Sequence, residues 1–370
     1  MRPLRAVAFA AVHPRPRVHA LPSPAMLPIF PPGSLFPTPR DDDARAPVLE
    51  AYAGVRVLLT GATGFIGRRV WRLLARAGAE VHAVGRSRAA LEAAAAVEGG
   101  EARLLVEELA VPGRLSRLYL QVRPALVVQL AGYGVDPVER DAGLSHRLNA
   151  ALPAEVALAA ASAPEDGWRG QRVVHAGSGF EYGSQPGPLA EDAVPLPRGM
   201  YATDKLEGTR RVAALRARVG AKAVTARLFG VYGPGEPPHR LLPTLLCASA
   251  TTGEVPLTAG GPTRDFTHVD DAAEGLLRLG AAAEAPPVVN LATGIATPVR
   301  AFAEAAAAAA RVEAYRLCFG ALPYRAEEVW QGAADVSLLR RTLGWVPRIT
   351  VDEGIALTVA ETAPAREARA

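Results

Sequence analysis

The run Thr60-Gly61-Ala62-Thr63-Gly64-Phe65-Ile66-Gly67 stands directly between a short apolar strand signal, Val55 to Leu59, and a helical pattern from about Phe65 to Ala77. No other stretch of the chain constrains its fold as tightly. Gly61 permits a tight turn, Gly64 lets the backbone approach a pyrophosphate, and Gly67 allows the helix to pack closely on the strand. A helix that starts there presents free N–H groups and the positive end of its dipole to an anion.

The rest of the chain supplies the bed such a loop needs. Apolar strand signals recur at Val81 to Val84, Arg103 to Val106, Ala125 to Leu130, Arg172 to His175 and Ala223 to Leu228, with helical stretches between them. Strands spaced by helices predict a parallel sheet covered on both faces, an α/β doubly wound, Rossmann-like dinucleotide-binding architecture. After Gly230 the alternation breaks. Pro and Gly cluster from Gly233 to Pro238, followed by a helix near Leu241 to Ala250, another from about Asp271, a strand at Val288 to Leu291, a long alanine helix over Val299 to Val312, and a last helix near Asp352. The expected organisation is a nucleotide-binding domain over 51–230, with a return contribution from about 264–294. A smaller C-terminal substrate-binding lobe is expected from 231–263 and 295–361.

The first fifty residues differ in kind. They hold 11 of the 32 prolines and no acidic residue before Asp41, so 1–50 is expected to be a disordered tail, as is 362–370. The net charge of +4 is small for 370 residues, and Arg is interspersed with acids, which leaves no basic stripe for nucleic acid. No apolar run approaches the length of a membrane span. Cys247 and Cys318 are isolated, with neither metal-ligand spacing nor a disulfide framework, which fits buried cytoplasmic thiols.

Two positions carry candidate chemistry. Of the 41 basic residues only Lys205 and Lys222 are lysine, and Lys205 follows Tyr201 by four. On a helix that spacing puts phenol and ammonium on one face. A fixed ammonium is expected to lower the Tyr pKa from about 10 and ready its oxygen for proton transfer. After the second strand comes Gly85-Arg86-Ser87-Arg88. An acid there would bind the ribose 2′-hydroxyl of NAD, whereas arginine accommodates the 2′-phosphate of NADP. The reading is therefore NAD(P), with NADP favoured through Arg86.

Taken in order, these residues resemble the extended short-chain dehydrogenase/reductases, the NAD-dependent epimerase/dehydratase group that acts on nucleotide sugars. The similarity runs from about Val55 to Val359. It is carried by the Thr60–Gly67 loop, Leu130-Ala131-Gly132, Ser178 to Gly183, Tyr201 with Lys205, Arg227 to Pro234, and Arg264 to Asp270. The resemblance implies that Tyr201 is the catalytic acid/base, Lys205 its partner on the nicotinamide ribose, and Ser178 the hydroxyl on the reacting sugar oxygen. Gly61, Thr63, Gly64, Phe65, Ile66, Gly67, Leu130 and Ala131 would line the cofactor, with Glu108 and Leu109 where the family has an Asp-Leu adenine contact. Arg264 and Arg325 would grip the diphosphate of a nucleotide-sugar substrate; Asn149 and Asn290 fall at familiar polar positions. A cytoplasmic homodimer without metal is implied.

One departure concerns the chemistry. Family 4,6-dehydratases place an Asp-Glu pair after the Ser/Thr; here those positions are Gly179 and Phe180, and Glu181 is shifted onto a place usually held by Val. The expectation is hydride transfer at one sugar carbon, in a C4 epimerase or a 4-ketoreductase. A reductase of a small non-nucleotide carbonyl compound and a non-catalytic cofactor-sensing regulator are the alternatives.

Overall fold

The computed structural model describes residues 46–362, apart from 137, 165, 166 and 326. Of the predicted tails 1–50 and 362–370, residues 1–45 and 363–370 lie outside the described residues, and Thr362 closes the last helix. The chain runs α1 (Ala46–Glu50), β1 (Arg56–Thr60), α2 (Phe65–Arg76), β2 (Glu80–Gly85), α3 (Arg88–Glu98), β3 (Ala102–Val106), α4 (Arg114–Val122) and β4 (Leu126–Gln129). Next, α5 (Ala142–His146) passes through a π-helical turn, Arg147–Ala151, into α6 (Leu152–Ala161), followed by β5 (Val173–Ser178), α7 (Gly199–Val219) and β6 (Ala223–Leu228). The remainder is β7 (Gly230–Tyr232), α8 (Leu241–Ala248), β8 (Val255–Leu257), β9 (Thr263–His268), α9 (Val269–Ala281), β10 (Val288–Leu291), β11 (Ala296–Pro298), α10 (Val299–Ala309), β12 (Leu317–Phe319), α11 (Ser337–Leu343) and α12 (Val351–Thr362).

Among the described residues, seven strands lie side by side in the order β3-β2-β1-β4-β5-β6-β10, every pair parallel. The order reverses between β1 and β4, which opens a crevice at the carboxyl ends of those strands. Apolar clusters cover both faces. On one side Trp71 and Leu74 of α2 and Leu276 and Leu277 of α9 pack against Leu59, Val128 and Val174. On the other, Leu115 and Leu118 of α4, Val156 of α6 and Val212 of α7 meet Leu58 and Val127. Such two-sided burial explains why the centres of β1 and β4 read as continuous apolar runs rather than alternating ones.

A third cluster, with Tyr232, Leu242, Leu245, Phe302, Ala306 and Ile355, sits among α8, α10 and α12. Two small sheets, β11-β9-β7 and β12-β8, carry the chain through this region. One expectation is corrected at the N-terminus. Residues 46–50, assigned to the tail, form α1, whose Val48 is buried in the first cluster, while the following Tyr52 donates its hydroxyl to Leu277 O at 2.6 Å. Pro-rich composition upstream masked a short apolar segment that the core can use.

Candidate active site

At the switch point the phosphate loop is shaped by glycine. Gly61 has φ +67°, and a Cβ there would sit 2.9 Å from Ala131 N; one on Gly67 would lie 2.1 Å from Gly61 O. Thr60 Oγ1 accepts from the backbone N–H groups of Leu130 and Ala131, both at 3.2 Å, which ties the end of β1 to the end of β4. Gly64 caps α2 without a side-chain bond, so the N–H groups of the first turn stay open. Thr63, Phe65 and Ile66 are half-buried around them. This cradle has the steric form a dinucleotide pyrophosphate requires.

Its flanks differ in exposure. Arg86 is exposed and makes no side-chain hydrogen bond or ion pair among the described residues, whereas Arg88 donates to Leu104 O at 3.3 Å. Leu109 is buried; Glu108 is exposed and accepts from Ala110 N at 3.0 Å.

Ser178, Tyr201 and Lys205 come together beside this crevice. Ser178 ends β5 and caps a 3-10 turn, Gly179–Tyr182, its hydroxyl accepting from Phe180 N at 3.2 Å. Tyr201 stands in the first turn of α7, with the Phe180 ring edge-on at 6.4 Å. Lys205 is one turn further on and buried; its Nζ donates to Ala176 O at 2.9 Å and lies 5.9 Å from the Tyr201 ring centre. Gly208 lets α7 pack on the π-helical turn, since a Cβ there would be 2.1 Å from Asn149 O. Gly132 leaves the gap between Asn149 Oδ1 and Lys205 Nζ, 3.0 and 3.4 Å from where its Cβ would be.

The electrostatics correct one expectation. Burial pushes the Tyr201 phenol up to about 12; the Ser178 hydrogen bond opposes that rise, as does the charge of Arg240. Burial also brings Lys205 down to about 8, against the field of Glu181. At Tyr201 burial outweighs the opposing contributions. Tyr201 is therefore a protonated acid at neutral pH in this state.

Glu181 faces away from chemistry. It is fully buried, accepting from Ser178 N at 2.8 Å, Thr209 Oγ1 at 3.0 Å and Arg227 Nε at 2.8 Å. Asn290 is likewise structural. Its Oδ1 accepts from the Tyr182 hydroxyl at 2.7 Å, and its Nδ2 donates to Leu189 O at 2.8 Å.

A cavity of about 200 Å³ opens from Ser178, Gly179 and Phe180 toward the third cluster, walled by Phe229, Tyr232, Phe266 and Phe302. Arg264 lines it, ion-paired to Glu328 at 2.5 Å and donating to Val329 O. Arg325 does not join Arg264 there. It is exposed on the segment before Glu328, outside the cavity wall. Glu236 and Arg240, which the sequence reading missed, do line the cavity. Their signal was an acid and an arginine four apart, lost within a loop of prolines and glycines.

The model of the NAD dependent epimerase/dehydratase family matches residues 57–292, which carry most of the sheet, the glycine cradle, Ser178, Tyr201 and Lys205. The chain belongs to that family. It is 31% identical to a dTDP-6-deoxy-L-talose 4-dehydrogenase (NAD(P)(+)) of Kitasatospora kifunensis, over 84% of this chain and 98% of that protein. It is 30% identical to a UDP-glucose 4-epimerase of Mycolicibacterium smegmatis, over 82% of this chain and 97% of the relative. Among solved structures, MoeE5 in complex with UDP-glucuronic acid and NAD superposes with a TM-score of 0.71 at 29% identity, covering 84% of this chain and 99% of that one. Among the described residues of this family member, no helix is long and apolar enough to cross a membrane.

Proposed function

We propose that the protein is an NAD(P)-dependent nucleotide-sugar epimerase or 4-ketoreductase with Tyr201 as its acid/base. The observation that carries this is the meeting of Ser178, Tyr201 and buried Lys205 beside the glycine cradle, with Ser178 and Arg264 both lining the adjoining cavity. Gly61 and Thr63 to Gly67 would hold the pyrophosphate of the dinucleotide, Glu108 and Leu109 its adenine side, and the backbone of Leu130 and Ala131 its middle. When bound, the cofactor supplies the hydride acceptor or donor.

Tyr201 gives its proton to the sugar oxygen in reduction and takes the hydroxyl proton in oxidation. Ser178 hydrogen-bonds the same oxygen, donating and accepting as the charge on it changes. A Lys205 ammonium beneath the ring favours the transient phenolate, and at about 8 its pKa leaves it mostly charged at neutral pH. NADP is favoured over NAD because Arg86 is an unengaged guanidinium at the end of β2. A 4,6-dehydratase is disfavoured. Gly179 and Phe180 offer no ionisable group, and the oxygens of Glu181 are committed to Ser178, Thr209 and Arg227. A homodimer in the cytoplasm belongs to the same reading.

A second reading, a reductase of a small non-nucleotide carbonyl compound, draws support from the aromatic cavity walls and from Arg264 being neutralised by Glu328. Calorimetric titration of the purified protein with UDP and with dTDP separates the two: saturable binding supports a nucleotide-sugar substrate, and its absence favours the small carbonyl. The cofactor that copurifies then divides the first reading. Retained NAD(H) supports the epimerase, while NADPH consumption with a 4-keto-sugar nucleotide supports the ketoreductase.

A further inference from the structure

The loop from Gly233 to Arg240 closes one side of the cavity and carries a buried carboxylate oxygen that no geometric hydrogen bond satisfies among the described residues. The Glu236 side chain is only 5% exposed and lines the cavity. Its Oε1 accepts from Arg240 Nε at 3.1 Å, while Oε2 is buried without a hydrogen-bond partner among the described residues. Leaving a charged oxygen unsatisfied costs several times what a neutral one would, so such groups are rare unless a ligand, a water or an ion completes them. Burial raises the carboxyl pKa, against the Arg240 charge and a backbone contact at Gly233 that favour ionisation.

Position narrows what would complete it. Ser178, Glu236 and Arg240 share one cavity wall system, and the charge of Arg240 is felt at the Tyr201 oxygen. Gly235 packs toward Phe65 of the cofactor loop, 4.0 Å from its Cδ2 to a Cβ built on the glycine, and Arg69 donates to Pro234 O at 3.4 Å. The carboxylate thus stands between the phosphate-loop side of the site and the hydroxyl that marks the reacting carbon. Arg240 fixes one oxygen and leaves the other an acceptor with no hydrogen-bond partner among the described residues, in a cavity wall that mixes rings and aliphatic chains with Ser178, Arg264, Asp265 and Gln331. A sugar hydroxyl is the donor that fits such a geometry.

We propose that Glu236 is a sugar-recognition residue whose free Oε2 accepts a hydrogen bond from a hydroxyl of the hexose bound beside Ser178, with Arg240 as its positioning residue. The inference rests on the nucleotide-sugar reading. It predicts selection for a substrate bearing that hydroxyl, because a deoxy analogue would leave the carboxylate oxygen unpaired. Replacing Glu236 by Gln is informative: Arg240 would keep the amide oxygen, and the amide N–H₂ would then present donors where the site had an acceptor.

The test titrates UDP-glucose and dTDP-glucose, their 2-, 3-, 4- and 6-deoxy analogues, and UDP and dTDP into cofactor-saturated wild type, Glu236→Gln and Glu236→Ala. Thermal melting confirms that each variant is folded, and the two replacements back each other should one fail to fold. Wild type should disfavour one deoxy analogue by about tenfold or more. Both variants should lose that discrimination and bind the parent nucleotide sugar about tenfold more weakly, with affinity for free UDP or dTDP unchanged. Equal weakening for nucleotide sugar and free nucleotide would place Glu236 at the nucleotide and overturn the proposal. Weakened cofactor binding alone, or unchanged discrimination, would overturn it too. Should free nucleotides fail to bind wild type, the nucleotide-sugar reading itself falls and takes this inference with it, an outcome distinct from the others.

Discussion

Replacing Glu181 by Gln or Ala separates a structural carboxylate from a catalytic one. Glu181 is 0% exposed and its partner Arg227 is 3% exposed, with Nε 2.8 Å from Oε2. Removing one member of such a pair leaves the other charge buried and uncompensated, at a cost of about 3–5 kcal/mol. The amide of Gln is nearly isosteric, but Glu181 accepts from three donors and an amide can accept at only one of its two ends. At least one donor of Ser178 N, Thr209 or Arg227 would then face N–H₂. Against a total stability of about 5–15 kcal/mol the loss is large. At roughly 2 °C per kcal/mol for a chain of this size, melting should fall by about 6–10 °C. Calorimetry or far-ultraviolet melting reads the loss, and a Glu181→Gln/Arg227→Met double variant should recover part of it by removing the stranded charge. At temperatures where the single variant is folded, its turnover should stay within a few-fold of wild type. A variant that melts like wild type yet has lost turnover would refute this reasoning, giving Glu181 a proton-transfer role and reopening the dehydratase alternative.

Three further outcomes follow from the same geometry. Arg86→Ala should weaken NADPH binding by about tenfold or more and leave NADH little changed, as fluorescence titration would show, because a charge-assisted phosphate contact contributes about 1.5–3 kcal/mol. Deleting 1–45 should leave the melting temperature nearly unchanged, whereas deleting 1–50 should lower it, since Val48 is buried in the core and burying a valine stabilises by about 1.5–3 kcal/mol. In cofactor-free protein the Lys205 ammonium, at about 8 when folded against an ordinary 10.5, binds fewer protons than in the unfolded chain across that interval. Stability measured by denaturant titration should therefore rise from pH 8 toward 10.5 through this group, and Lys205→Met should flatten that rise.

Much of the fold was legible because its determinants are local. A glycine loop between strand and helix, and apolar runs separated by helical patterns, specify a parallel sheet with little help from distant residues. Val288 to Leu291 was recognised as a strand by the same token, and it pairs with β6 at the sheet edge. The site was legible only in part. Ser178, Tyr201 and Lys205 lie 23 and 4 residues apart in sequence and depend on one strand and one helix, so their meeting follows from the fold. The direction of the Tyr201 pKa did not, because burial, reinforced by the charges of Glu181 and Glu139, outweighs the Ser178 hydrogen bond and the charge of Arg240, all set by packing. Glu181 shows the same limit: its commitment needs Thr209 and Arg227, 28 and 46 residues away. The engagement of Arg264 by Glu328, 64 residues on, was equally out of reach of spacing arguments.

The central claim is that Tyr201 moves the proton in a hydride transfer at a sugar carbon. Tyr201→Phe removes one oxygen and keeps the ring against Phe180, so the fold and the cofactor cradle should be untouched. The direct measurement is a single-turnover reaction of wild type and variant with a nucleotide sugar that wild type converts, following nicotinamide absorbance, with cofactor affinity titrated in parallel. The account predicts unchanged cofactor binding and a rate reduced by about 100-fold or more, the usual range for loss of a general acid/base. A variant that binds cofactor and turns over within a few-fold of wild type would contradict it and assign the proton to another group.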